Sequence, residues 1–156
     1  MKESIKSILI LFSYHHNNTE KIAKTFAKVL DAQIKSPEEV KPEVLQDYDL
    51  IGFGSGIYYR KHHKVLLEFV ENLPQVKNKK AFIFSTSGST RKVTKNHLKL
   101  REKLESNGYI IVDEFNCAGF DTVGPLRLFG GIKKGRPNEQ DLKDAEEFAK
   151  NLKQNM

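Results

Sequence analysis

Three short polar segments carry most of the side chains that could bind a ligand. The first follows the apolar run at residues 8–12 and consists of Ser13, Tyr14, His15, His16, Asn17, Asn18 and Thr19. The residues after it have apolar side chains at the spacing of one helical face. A strand that leads through such a loop into a helix leaves unpaired backbone N–H groups and the positive end of a helix dipole at the loop. The first segment is therefore a candidate anion site, although Asn18 and Thr19 would serve equally as helix N-caps.

The other two segments differ in the shape of ligand they would accept. The second follows a strand-like run with glycines at 52, 54 and 56, and it contains Ser55, Gly56, Ile57, Tyr58 and Tyr59. The third is small and free of aromatic residues, and it consists of Ser85, Thr86, Ser87, Gly88 and Ser89. The glycines allow close backbone approach. Small donors in three loops, with two adjacent tyrosines, are typical of a site for a flat aromatic ring with a phosphate tail.

The usual nucleotide-binding signatures are missing from the chain. No GxxxxGK[ST] motif occurs, and no GxGxxG motif opens the first helix. A phosphate group would therefore not be held here as it is in an ATPase or a dinucleotide dehydrogenase.

Histidine and cysteine set the limits on metal and thiol chemistry. His15-His16 and His62-His63 form two pairs in segments expected at the same rim, which makes a metal site an alternative. No carboxylate lies near either pair in the sequence, and adjacent histidines usually point apart, so imidazoles that face solvent or contact phosphate are expected instead. The single cysteine, Cys117, excludes an internal disulfide and a multi-thiolate centre. We expect Cys117 to be a small apolar residue at a strand end.

The elements that would position these segments alternate along the chain in the order β-α-β-β-α-β-α-β-α. Strands are predicted near residues 8–12, 32–34, 49–55, 79–85 and 109–115, and Asn138 with Asp141 should cap the last helix. This alternation predicts one α/β domain, residues 1–156, with a doubly wound parallel sheet and helices on both faces. Ligands of such sheets lie outside the carboxyl ends of the strands, where the three polar segments should meet. The irregular residues 117–137 could close the same rim.

The charge and hydropathy of the chain indicate which classes of partner to expect. The net charge is +6, from 26 basic and 20 acidic residues, yet the basic residues alternate with acidic ones along the helices. No nucleic-acid-binding motif accompanies them, so we expect no nucleic-acid partner. No apolar run reaches membrane-spanning length and no signal peptide precedes the first strand, so a cytoplasmic protein without membrane contact is expected.

Taken together and in order, the three segments resemble the flavodoxin family. The residues that carry the resemblance are Ser-x-x-x-x-Asn-Thr-Glu between the first strand and helix, Gly-Ser-Gly-Ile-Tyr-Tyr, and Ser-Thr-Ser-Gly. The resemblance implies a five-stranded flavodoxin-like sheet in the order 2-1-3-4-5, with the FMN phosphate on residues 13–19. Asn18 and Thr19 match the Asn-Thr pair of the family, Tyr58 and Tyr59 occupy the loop that covers one ring face, and residues 85–89 match the loop at the pyrimidine end. It implies an electron carrier.

The chain departs from the well-studied carriers in three ways. Its phosphate loop has His15-His16 where they have Gly, Ser or Thr, and the loop is one residue longer. Its third segment has no Tyr or Trp, and the chain is basic where they are acidic. Residues 120–137 also look like those of a lesser-known, basic branch of the family. An FMN-dependent NAD(P)H or quinone reductase is therefore an alternative to the carrier.

Two further expectations concern relatives and partners. A receiver-type signalling domain of the same topology is a distant alternative, because the acids that it needs after the first and third strands are absent. The cations Arg60 and Lys61 follow the tyrosines directly. We therefore expect either an acidic redox partner protein or an anionic small-molecule substrate.

Overall fold

The structure, a computed structural model, describes residues 5–13, 18–87, 93–118 and 137–156. The predictions for His15, His16, Asn17, Gly88 and Ser89, and for most of residues 117–137, lie outside these ranges.

Strands and helices alternate along the chain as predicted. The strands are β1 (Ser7–Phe12), β2 (Gln33–Lys35), β3 (Leu50–Tyr58), β4 (Lys61–His62), β5 (Lys79–Ser87) and β6 (Tyr109–Ala118). The helices are α1 (Asn18–Leu30), α2 (Lys64–Glu71), α3 (Val93–Ser106) and α4 (Glu139–Gln154), and a 3-10 helix spans Pro42–Asp47. Five strands form a parallel sheet in the order β2-β1-β3-β5-β6. When the five parallel strands are numbered without β4, this is the predicted order 2-1-3-4-5, and the doubly wound fold is confirmed.

The short strand β4 is an addition that the sequence did not predict. The second polar segment, residues 55–59, was expected to form a loop, but β3 continues to Tyr58 and pairs antiparallel with β4. Tyr59 and Arg60 form the turn of this hairpin, with positive φ angles of 52° and 65°. Two-residue turns of this kind are usually signalled by Asn-Gly or Asp-Gly, and Tyr-Arg gives no such signal. Thr86 and Ser87 likewise belong to β5 and not to the loop after it.

Alternating side chains of the sheet pack into two separate hydrophobic cores, one on each face. In β1, Ile8 and Ile10 pack in the cluster with α2 and α3, whereas Leu9 and Leu11 pack in the cluster with α1 and α4. All four side chains are buried. This is the pattern expected of a parallel strand covered by helices on both faces.

Aromatic rings dominate the core under α1 and α4. Phe26 of α1 lies at its centre, with ring centroids of Phe82, Phe84, Phe115 and Phe148 between 5.2 and 5.7 Å away. Three of these contacts are edge-to-face, a geometry that contributes about 0.5–1.5 kcal/mol per pair beyond burial. The cluster joins the first helix to the last one through β5 and β6.

The structure shows how α3 ends and confirms the predicted start of α4. Gly108 follows α3 with φ of 96°, and a Cβ there would lie 1.7 Å from the carbonyl oxygen of Val76, so only glycine fits. Asn138 and Asp141 form a reciprocal capping box at the start of α4, with distances of 3.0 and 2.8 Å. Cys117 is buried near the end of β6, as predicted. Over the described ranges, no helix combines the length and apolar character needed to cross a membrane.

Candidate functional site

The register of the sheet brings the three polar segments to one edge. Phe12 pairs with Ser55, Ser55 pairs with Ser85, and Gly56 pairs with Thr86. Since all three strands run parallel, their carboxyl ends meet at this edge. The parts of the predicted site that the structure describes therefore lie side by side.

The start of α1 provides a set of donors suited to an anion. Asn18 and Thr19 occupy its first two positions and are almost fully buried. The Ser13 hydroxyl, one residue after β1, is buried and has no hydrogen-bond partner among the described residues. Thr19 Oγ1 lies 2.8 Å from Thr86 Oγ1. Two hydroxyls carry two protons and this contact uses one, so the pair retains one O–H for a further acceptor.

The hairpin of β3 and β4 presents two tyrosines in different ways. The Tyr58 ring covers Gly56, where an added Cβ would lie 3.2 Å from the ring. It also meets His63 edge-on at 5.0 Å, and His63 in turn stacks on Phe12 at 4.1 Å. Tyr59 is 90% exposed at the tip of the turn. Of the two tyrosines, Tyr58 is the packed one and Tyr59 is the one with its surface available.

Ser55 and His63 hold the hairpin to the start of α2. The His63 N–H donates to Ser55 Oγ at 2.9 Å, and that hydroxyl donates to the Gly56 carbonyl at 2.7 Å. His63 Nδ1 accepts from the Val65 N–H at 3.0 Å and so caps α2. Burial, followed by the charge of Lys64, lowers the pKa of His63. The bonds with the His63 N–H and the Gly56 carbonyl occupy the Ser55 hydroxyl. The predicted role of Ser55 in cofactor binding stays a prediction.

His62 is fully buried and contacts Phe84 and His97. Its Nε2 lies 3.0 Å from the Phe84 carbonyl oxygen, which can only accept, so Nε2 carries the proton. Burial, with a smaller contribution from the charge of His97, lowers the pKa of His62 to about 3. In the part of the chain that the structure describes, no three side chains of His, Cys, Asp or Glu are grouped to hold a metal ion.

A buried polar chain behind the third segment was not predicted. Ser85 Oγ lies 2.6 Å from His97 Nε2, and His97 Nδ1 lies 2.9 Å from Glu114 Oε1. Arg101 donates from Nε and Nη2 to the same carboxylate at 2.6–3.0 Å. Asn116 Nδ2 donates to Ser85 Oγ at 2.7 Å. We name these five side chains the His97 network.

One sequence signal could have revealed the His97 network. His97 and Arg101 are four residues apart on a face of α3 that also carries the buried Leu100 and Leu104. Two polar side chains at helical spacing on a core-facing surface require polar partners. Glu114 and Asn116, on a strand of the sheet, supply them.

The order Ser85, His97, Glu114 resembles a hydrolytic triad, but its position excludes that chemistry. Ser85 and His97 have no exposed surface. A nucleophilic serine must reach the scissile group of a substrate. Ser85 lies within β5 and is fully buried, so its hydroxyl cannot reach a substrate.

Comparison with known proteins gives consistent results. A family model described as flavodoxin domain matches residues 9–120. The uncharacterized protein MJ0298 of Methanocaldococcus jannaschii is 49% identical over 151 residues, which are 97% of this chain and 100% of that protein. Oxidised flavodoxin 2 from Bacillus cereus superposes with a TM-score of 0.73 at 17% identity, over 97% of this chain and 99% of that one. A flavodoxin from the domain Archaea gives 0.68 at 16% identity, over 97% and 98%.

Proposed function

Since this chain belongs to the flavodoxin family, we propose that it binds FMN at the carboxyl edge of its sheet and transfers electrons through it. The observation that supports this most directly is the buried Ser13 hydroxyl, which has no partner among the described residues and lies between the end of β1 and the start of α1. A buried hydroxyl without a partner is costly, and an anion at the helix start would satisfy it. FMN, when bound, supplies reversible acceptance of electrons.

The residues of this chain would bind, orient and shield the cofactor. Ser13, Asn18 and Thr19 would hold its phosphate, as the N–H groups and dipole at the start of α1 favour a dianion there. The exposed Tyr59 would lie against one face of the ring. One phosphate group suits the donors present, and no glycine fingerprint for a pyrophosphate exists, so FMN is proposed in preference to FAD.

The phosphate assignment is tested by comparing FMN with riboflavin. In an Asn18→Ala/Thr19→Ala variant, FMN binding should weaken by roughly 2–4 kcal/mol if two charge-assisted hydrogen bonds are lost. Riboflavin has no phosphate, so its affinity should hardly change. Quenching of flavin fluorescence during titration measures both affinities.

A matched control uses the same helix. Thr25→Ala removes a hydroxyl of α1 that bonds the Lys21 carbonyl one turn back, and both flavins should bind it as they bind the wild type. If the double variant loses riboflavin and FMN equally, Asn18 and Thr19 are structural and the phosphate site is elsewhere.

An FMN-dependent NAD(P)H or quinone reductase remains the second candidate. The observation that favours it is the lack of any aromatic side chain in residues 85–89, which leaves room beside the ring. Bleaching of the bound flavin by NADH or NADPH alone would identify a reductase. A flavin that is reduced only through a second protein would identify a carrier.

We further propose an acidic partner for this site. Arg60, Lys61 and Lys64 are exposed on and beside the hairpin that carries Tyr59. A cationic rim of this kind attracts an acidic redox protein or an anionic substrate and speeds association at low salt.

A further inference from the structure

The hydrogen-bond directions in the His97 network follow from its carboxylate. Glu114, ionised and bound by Arg101, can only accept, so His97 Nδ1 carries a proton and donates it. His97 Nε2 is then an acceptor, and the Ser85 hydroxyl donates to it. Ser85 Oγ in turn accepts from the Asn116 amide. The donated bonds lead from Asn116 through Ser85 and His97 to Glu114, and His97 Nε2 is the one nitrogen of the network without a proton.

A bulge in β6 places two members of the His97 network, Glu114 and Asn116, on the face of the sheet that α3 covers. Ala81 pairs with Ile111 but Phe82 pairs with Asp113, so Val112 is the extra residue. A shift of one residue moves every following side chain to the other face of the strand. Because of the bulge, Glu114 and Asn116 lie opposite Ile83 and Ser85, on the face covered by α3.

The network reaches the proposed cofactor site through Asn116. Its Nδ2 also lies 3.3 Å from Ser87 Oγ, and Ser87 is the last residue of β5 at the carboxyl edge. The third contact of Nδ2, with the Ser85 carbonyl oxygen, is 3.4 Å and weak. Asn116 Oδ1 is buried and has no partner among the described residues. The Asn116 amide therefore contacts both Ser85, which bonds His97, and Ser87, which lies at the carboxyl edge of the sheet.

We propose that His97 takes up a proton when the site is reduced, and that Ser85 and Asn116 relay this change to Ser87. The proposal rests on the proposed function, since it requires electrons to arrive at the carboxyl edge. Two electrons come from the partner protein or another reductant, and water supplies the proton that binds to His97 Nε2. Glu114, whose side chain is one quarter exposed, bonds Nδ1 on the other side of the ring and stabilises the imidazolium through its negative charge.

Protonation has a definite consequence for the neighbouring bonds. With a proton on Nε2, the His97–Ser85 bond must reverse, so that Ser85 Oγ accepts from the imidazolium and its own proton needs a new acceptor. A half-turn of the Asn116 amide places Oδ1 where Nδ2 now lies, beside Ser85 Oγ and Ser87 Oγ. Oδ1 then accepts from Ser85, and Ser87 changes from acceptor to donor. The hydroxyl at the edge thus responds to the charge on His97.

The surrounding charges set His97 to respond to added negative charge. Burial lowers its pKa most strongly, the bond and charge of Glu114 raise it, and Arg101 lowers it. From β4, His62 approaches to 4.9 Å between ring centroids and is neutral at ordinary pH. From β5, the Ser85 hydroxyl contacts His97 Nε2. In the oxidised protein His97 is therefore neutral at pH 7, and negative charge at the edge raises its pKa.

The test is the pH dependence of the midpoint potential of the FMN-loaded protein. If His97 takes up one proton with two electrons, the midpoint potential of the wild type should fall by about a further 30 mV for each unit of rising pH. This is a tenfold change in the two-electron equilibrium. His97→Gln should lack this extra slope. Glu114→Gln removes the group that raises the pKa of His97, so it should move the steep region to lower pH. Glu105→Gln is the control, because it removes an exposed carboxylate from α3, the helix that carries His97, and should behave as the wild type.

A second measurement separates proton uptake from a merely structural role. The imidazole resonance of His97, identified by its loss in His97→Gln, should titrate at higher pH in the reduced than in the oxidised protein. Equal slopes for wild type and His97→Gln, or an unchanged His97 titration with FMN bound, would overturn this inference alone. A wild type that binds no FMN would overturn the proposed function, and the inference with it.

Discussion

Among single residues, His62 should control how the protein responds to acid. It is neutral in the folded state with a pKa of about 3, whereas an unfolded chain has an ordinary histidine near 6.5. Between these values the unfolded state binds more protons, so the free energy of unfolding falls as pH falls from about 6.5 towards 3. The loss approaches about 1.4 kcal/mol per pH unit inside that window and is absent above it.

The variant that tests this is His62→Gln, whose amide can still donate to the Phe84 carbonyl. We expect a lower stability at pH 7 but a flatter dependence on pH, measured by urea unfolding between pH 7 and 4. His63→Gln is the comparison, since His63 is only partly buried and should account for less of the slope. A wild type equally stable at pH 7 and pH 4 would contradict the assignment.

The place of a single residue in the structure could be predicted where it depends on neighbouring residues in the sequence, and not where it depends on the pairing of distant strands. The positions of Ser13, Asn18 and Thr19 follow from a buried strand that leads into a helix, although Asn18 and Thr19 already belong to α1 and not to the loop before it. Their binding role, like that of the other proposed site residues, stays a prediction. The role of His97 was not predicted, because its partners are brought to it by pairing between β5 and β6 and by a bulge. Nothing near His97 in the sequence encodes that register.

Among the elements, the β3–β4 hairpin carries the clearest local strain. Tyr59 and Arg60 both have positive φ, a region that costs roughly 1–3 kcal/mol for a residue other than glycine. Such strain persists where a side chain has a task, and the exposed Tyr59 is the candidate. In sequence the hairpin was hidden, whereas the long strands were predictable from their continuous apolar runs.

A turn replacement separates strain from function. Tyr59→Asn/Arg60→Gly introduces the favoured two-residue turn and should stabilise the FMN-free protein by about 1–2 kcal/mol in urea unfolding. The same variant should bind FMN more weakly by about 0.5–1.5 kcal/mol if Tyr59 stacks on the ring. Arg60→Gly alone, which keeps Tyr59, is the control and should be stabilised without that loss.

Two results would change the picture of the hairpin. Unaltered stability in both variants would show that the turn is not strained. Retained FMN affinity in the double variant, together with weakened binding in Tyr58→Leu, would make Tyr58 the stacking residue.

For the molecule as a whole, the distribution of cations should affect the potential of the bound flavin. A unit charge at ~4 Å is worth about 1 kcal/mol in high dielectric, and a tenfold change in a one-electron equilibrium is about 59 mV. Each close cation should therefore raise the potential of the anionic reduced state by roughly 40 mV. Arg60→Gln/Lys61→Gln should lower the potential in photoreduction titrations, and less so at high salt.

The control for charge lies at the opposite edge of the sheet. Lys77→Gln/Lys80→Gln removes the same charge at the amino end of β5, and it should leave the potential near that of the wild type. Arg60→Gln/Lys61→Gln should also slow association with an acidic partner, an effect that weakens as salt rises. Equal potentials for all three proteins would show that Arg60 and Lys61 are too remote or too well hydrated to matter. The cytoplasmic location and the single domain of residues 1–156 stay predictions.

The aromatic cluster around Phe26 also has a consequence for the order in which the protein is made. Phe26 belongs to the first helix and Phe148 to the last, so the ribosome adds Phe148 about 6–25 s later at 5–20 residues per second. Until α4 emerges, Phe26, Phe82 and Phe84 lack the helix that completes their cover. The other face of the sheet is covered sooner, since α2 and α3 are synthesised before α4. A nascent chain stalled before α4 would therefore expose one apolar face and be a substrate for chaperones until synthesis resumes.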